Sequence, residues 1–191
     1  MKLTSKAACL LIAGGLFVAS CGSGANESET SDTTLADKME AAVDTVQAAM
    51  AGNPDQDFIK DAVEMNTKEL AWLDAGMKMG MDKEVKGHAK MMMADHEKMG
   101  TEVKDYAGKK GLEVPNVDTA GEVDINEKKG KDWDRKWAEK MVDDHQKVIK
   151  RFENAQNDVK DEELRTMISS TLPKLRSHLE MSEKLRDKLS K

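Results

Sequence analysis

Residues 109–130 read KKGLEVPNVDTAGEVDINEKKG, and this stretch decides the fold. Lys109 and Lys110 suit the negative end of a helix dipole, Gly111 suits the left-handed position just past that end, and Pro115 blocks any continuation. From Gly111 to Gly130 no apolar period survives, and Pro, Gly, Asn and Asp recur. About 20 residues of extended chain reach roughly 60 Å, enough to run past a complete helix. The stretch is a long crossover, and the sequence on either side of it is helical.

Upstream, Asn53-Pro54-Asp55 opens a helix over Pro54–Met79. Asn53 caps it, Pro54 is already shaped for the first helical position, and Asp55 and Asp57 complement the positive dipole end. Asp82 caps a second helix that runs to Lys110. Downstream, apolar residues at three- and four-residue steps predict a third helix over Lys131–Asn157 and a fourth over Asp161–Ser190. Pro173 falls inside the fourth, where it is expected to kink or interrupt the helix. Two helical hairpins joined by one long crossover make an all-α, four-helix bundle over residues 54–191, and the crossover's length allows its second and third helices to run roughly parallel. A further amphipathic helix is expected over 38–53, on Met39, Ala42, Val43, Val46 and Met50.

The chemistry lies in what interrupts the apolar stripes. On the first helix Glu69 falls among Phe58, Ala62, Met65, Trp72 and Leu73. On the second, His96 follows Met92 and precedes Met99 and Val103, with His88 on the same sector. On the third, His145 stands among Trp137, Met141, Val148 and Phe152; on the fourth, His178 stands with Ile168, Leu172 and Leu175. A buried carboxylate without a partner costs several kcal/mol. Glu69, His96, His145 and His178 supply one inward ligand per helix, a set that suits one transition metal ion, Zn, Fe or Cu. Counting residues from the turns leaves His96 and His178 about one turn off the level of Glu69 and His145. Asp95 and Asp144, each beside a histidine, are candidate acceptors that orient an imidazole, with a solvent-facing acid as the alternative. Met77, Met79, Met81, Met91, Met92, Met93 and Met99 leave open a Met/His copper site or plain core filling. No helix carries Glu-x-x-His, the spacing that a carboxylate di-iron site needs twice. No nucleophilic cysteine, phosphate loop or serine elbow is present either, so no catalytic residue is assigned.

The N-terminus gives the location. Lys2 and Lys6 precede an apolar run, Ala7 to Val18, too short to span a bilayer and of the length of a secretory signal. Val18-Ala19-Ser20-Cys21 resembles a bacterial lipobox, so residues 1–20 are expected to be removed and Cys21 to be acylated. Residues 21–37 are Gly, Ser, Thr, Asp and Glu-rich and read as a flexible tether. The anchor is expected to hold the protein in the cell envelope, at the outer membrane facing the periplasm. The full chain carries net charge −6. Loss of residues 1–20, with two lysines and no acids, takes it to −8, which argues against nucleic acid as a partner.

Several ordered motifs agree with a known family. Ala62-Val63-Glu64-Met65-Asn66-Thr67-Lys68-Glu69-Leu70, Met93-Ala94-Asp95-His96, Gly111-Leu112-Glu113-Val114-Pro115, Met141-Val142-Asp143-Asp144-His145 and Thr171-Leu172-Pro173-Lys174-Leu175-Arg176-Ser177-His178 resemble the bacterial domain-of-unknown-function family 4142. The resemblance covers about residues 55–190. It implies a ferritin-like bundle, with its second and third helices roughly parallel, and an envelope location; it does not imply an activity. Three functional readings follow: a lipid-anchored bundle holding a metal through Glu69, His96, His145 and His178; a structural or stress-related lipoprotein whose inward polar residues only fix helix register; and, ranked last, a weak metal-dependent oxidase.

Overall fold

The computed structural model describes residues 52–124 and 128–191. The signal segment, Cys21, the tether and the helix expected over 38–53 lie outside those residues. Four helices follow in order: α1 Pro54–Met79, α2 Lys83–Lys110, α3 Lys131–Asp158 and α4 Glu162–Leu189. None of them is long and apolar enough to cross a membrane.

Each boundary has a local chemical cause. The Asn53 side chain accepts from the backbone N–H of Asp55 and Gln56 and so satisfies two of the donors a helix start leaves free. Asp82 accepts from Glu84 N–H at 2.7 Å, and Asp161 accepts from Glu163 and Leu164. Gly111 closes α2 in the left-handed conformation, φ 66°, which a side chain would resist. Only α3 begins without a side-chain cap. Pro173 does not interrupt α4. It sits on the exposed side of the helix, and Ser169, whose carbonyl loses its helical donor, is exposed as well, so water can serve that oxygen.

The helix ends fix the direction of each element. At one end, Lys110 of α2 pairs with Asp161 at 2.7 Å, and Asp55 of α1 accepts from the backbone N–H groups of Lys160 and Asp161. At the other, Asp134 in the first turn of α3 accepts from Met81 N–H at 2.9 Å and Asp82 N–H at 2.7 Å, and Lys188 of α4 pairs with Glu84 of α2. Thus α2 and α3 run parallel. The crossover must travel the length of the bundle, and it does so along α1. Gln56 exchanges two hydrogen bonds with the Glu113 backbone, Trp72 Nε1 donates to Glu122 at 3.1 Å, and Lys129 donates to the Lys78 carbonyl at 3.0 Å. Helices α1 and α2 form one hairpin, α3 and α4 the other, with α1 against α3 and α2 against α4.

The core comes in two apolar halves. One contains Phe58, Val63, Tyr106, Phe152, Leu164 and Ile168. The other contains Trp72, Leu73, Met92, Trp137, Met141 and Leu185. Between them, Glu69, His96, His145 and His178 make a buried polar slice across the waist. A fully buried aliphatic side chain contributes about 1.5–3 kcal/mol, whereas a buried polar atom without a partner costs about 1–3 kcal/mol. The slice therefore lowers the stability that the same positions could supply.

Candidate metal centre

Three of the four expected residues converge. The rings of His96, His145 and His178 lie 5.3–5.5 Å apart centre to centre, and one nitrogen from each falls within 4.8 Å of the other two. The one-turn offset expected between His96 and His145 is absent, because α2 and α3 run parallel and each histidine sits at nearly the same depth from its helix start. His178 reaches the same layer from α4, which runs the opposite way. Helical side chains lean toward their own N-terminus, so His178 leans to meet the other two.

Hydrogen bonds settle which nitrogen each ring offers. His145 Nδ1–H donates to the Met141 carbonyl at 2.8 Å. His96 Nδ1–H donates to Asn66 Oδ1 at 3.0 Å, and Asn66 Nδ2 donates back to the His96 carbonyl at 3.2 Å, which fixes the amide's orientation. His178 Nε2–H donates to Asp95 Oδ2 at 3.0 Å. The nitrogens left over, Nε2 of His96, Nε2 of His145 and Nδ1 of His178, are all buried and have no hydrogen-bond partner among the described residues. Each is the lone-pair nitrogen of a neutral imidazole held by an acceptor on its far side, the arrangement a metal-bound histidine adopts. Burial, the largest influence on each, pulls the His96 pKa down to about 3 and that of His145 to about 4, and lowers that of His178. At neutral pH the lone pairs are free of protons.

Glu69 is buried beside this cluster and not within it. Its Oε1 lies 3.7 Å from His145 Nδ1, the nitrogen already bonded to Met141, and has no hydrogen-bond partner. Among the described residues, the group of ligand atoms within mutual reach comprises the three histidines alone. Burial, then the charge of Asp144, pushes the Glu69 carboxyl up to about 8. Its outer side meets a cleft of about 90 Å³ lined by Lys68, Glu122, Lys140, Asp144 and Lys147. The two aspartates differ. Asp95 orients an imidazole, that of His178 across the helix interface and not that of neighbouring His96, while its other oxygen pairs with Lys174 at 2.7 Å. Asp144 touches no histidine and pairs with Lys140 and Lys147. His88 stands half-buried outside the cluster. The methionines are dispersed: Met79 and Met92 fill the core, whereas Met81 and Met91 are exposed.

Asn66 is a site residue that periodicity does not reveal. It works because Gly100, one turn beyond His96, leaves room for it; a Cβ at Gly100 would lie 2.6 Å from Asn66 Nδ2. Asn66→Ala frees the His96 ring to rotate. Zinc affinity, read by competition with a chromophoric chelator, is expected to fall roughly 10- to 100-fold while the helical signal is retained.

The sequence pattern of DUF4142, a domain of unknown function, matches residues 38–185. No curated protein matches the chain. Among solved structures, a conserved hypothetical protein from Mycobacterium tuberculosis superposes with a TM-score of 0.59 at 11% identity, over 70% of this chain and 98% of that one. At that identity the likeness is one of fold.

Proposed function

The chain belongs to the DUF4142 family, and on that premise we propose that it is a cell-envelope metal-binding protein, anchored by a lipid on Cys21, that holds one Zn, Fe or Cu ion on His96, His145 and His178. A single observation carries the metal: one nitrogen of each of the three buried rings lies within 4.8 Å of the other two, and each ring keeps one buried nitrogen without a hydrogen-bond partner. A hydrogen-bond network that merely fixed register would have satisfied them, since buried polar groups in native proteins are paired with few exceptions. Here each ring is bonded on the outside and bare on the inside. Three imidazoles suit Zn, Cu or Fe, and neutral rings bind without first losing protons. Glu69 borders the ion as a polar neighbour. Asp95 and Asn66 hold two of the rings, and the Met141 carbonyl holds the third.

Metal analysis of the purified full chain tests the reading. One equivalent of metal per chain is expected, falling to a small fraction in His145→Ala. A chain that retains no metal and takes up none on titration with Zn²⁺, Fe²⁺ and Cu⁺ overturns it. The anchor is tested separately. Cys21→Ser should release the protein from membranes or leave an unprocessed precursor, and membrane retention with normal processing would defeat the lipid.

A further inference from the structure

Three protein ligands leave a tetrahedral ion one position short. Structural zinc sites fill all four positions from the protein, whereas sites that work on a ligand keep one open. We infer that the fourth position is kept for one small exogenous ligand, water or a monoanion of two or three atoms, held in the cavity beside His96 and Glu69. The inference rests on the metal reading above and adds what the metal binds.

One cavity is lined by both His96 and Glu69. It measures about 40 Å³ and lies on the side of the Phe58 half of the core, with Val63, Phe152 and Leu175 in its wall. A site for one water needs about 10–15 Å³, so the space admits a ligand of a few atoms and nothing bulkier. On the other side, Met92 and Met141, each one turn from its histidine and fully buried, close the layer. The cavity reaches the surface near Lys104 of α2, an exposed cation at the mouth of the path.

Charge selects the class of ligand. A divalent ion on three neutral imidazoles keeps its full charge inside a buried site. Two carboxyls lie beside the cluster: Asp95 is already paired with Lys174, and Glu69, 3.7 Å from His145, competes with an exogenous anion to offset the ion's charge. An uncompensated buried charge is costly, and an anion at the fourth position halves it. Apart from Glu69, His96, Asn66 and Thr67, whose hydroxyl donates to the Val63 carbonyl, the inner wall is apolar, which disfavours ligands that need many hydrogen bonds, such as phosphate or sulfate. Glu69, whose buried Oε1 has no partner, lines this space and can accept from a bound water or, when protonated, donate to a bound anion.

Co²⁺ loaded into the full chain, with azide as the probe, tests the inference. Its visible bands should show a bound ion and shift saturably with one azide per cobalt. Val63→Ile and, separately, Ala62→Val narrow the cavity without touching a histidine. Each should weaken azide by about tenfold or more while leaving the azide-free cobalt spectrum unchanged. No cobalt binding at all would end the metal reading and this inference with it. Bound cobalt whose bands ignore azide in the wild type and respond in Glu69→Gln would make Glu69 the fourth ligand, overturning the inference alone. Azide binding that both narrowing variants leave intact would remove the cavity from the account.

Discussion

Added Zn²⁺, Fe²⁺ or Cu⁺ is expected to raise the melting temperature of the full chain, and His145→Ala to erase the rise. An ion that binds the native state and not the unfolded one stabilises by RT ln(1 + [L]/Kd), about 2.7 kcal/mol at a hundredfold excess over Kd. For a domain of this size each kcal/mol moves the midpoint by roughly 2–4 °C, so the rise should be roughly 5–11 °C. His145 is the variant to choose because its ring is 1% exposed, lies 5.5 and 5.4 Å from the other two rings, and keeps its Nε2 without a partner. The metal-free baseline of His145→Ala shifts as well, since truncation leaves a void and removes an unpartnered polar atom. The informative quantity is therefore the difference between melts with metal and with chelator, measured for each protein. A wild-type midpoint indifferent to every metal and to chelator would leave the polar slice as a register device alone.

The helices were legible because their ends are punctuated by chemistry that acts locally. Asn53-Pro54, Asp82, the Lys109-Lys110-Gly111 run and Asp161 each act through backbone groups within four residues, so sequence neighbours suffice. The crossover was legible from length alone. The histidine layer was half legible. Periodicity turns His96, His145 and His178 inward, but their level depends on which helices run parallel, and residue counting through the turns misplaces His96 against His145. Glu69 reads as a ligand because it shares the inward face, whereas its place beside His145 and outside the ligand group depends on the α1–α3 packing. Asp95 shows the same limit: it adjoins His96 in sequence and serves His178 in space. Asn66 is a half-buried amide whose role depends on Gly100 in another helix, and no spacing within α1 announces it. Pro173 leaves the helix uninterrupted, since a proline on the exposed side of a helix frees a carbonyl that water can satisfy.

Glu69→Gln should stabilise the metal-free protein increasingly as pH rises from about 4.5 to 8. The wild-type carboxyl is pushed up to about 8 from an ordinary 4.5, first by burial and then by Asp144. A group whose folded pKa is raised contributes fully below its unfolded value, and that contribution is lost as pH climbs to the folded value. At pH 7 the loss in the wild type is on the order of 3 kcal/mol, at 1.36 kcal/mol per unit. Glutamine does not titrate, so the mutant escapes it. The histidines work in the opposite sense: His96 and His145, pulled down to about 3 and about 4, add stability above the ordinary 6.5 that is lost as pH falls toward those values. Both proteins carry these histidines, so their effect cancels in the difference between the two melts. Glutamine's own buried amide adds a constant offset, which leaves the pH slope as the quantity that decides. Bound metal should shrink or reverse the advantage, because a carboxylate beside a divalent ion is stabilised by it and an amide is not. Chemical denaturation of both proteins at pH 4.5, 6 and 8, with chelator and with zinc, measures all of this. A difference between them that stays flat with pH would mean that Glu69 meets water in the native state through the Lys140–Asp144 cleft, and that its burial does not govern its charge.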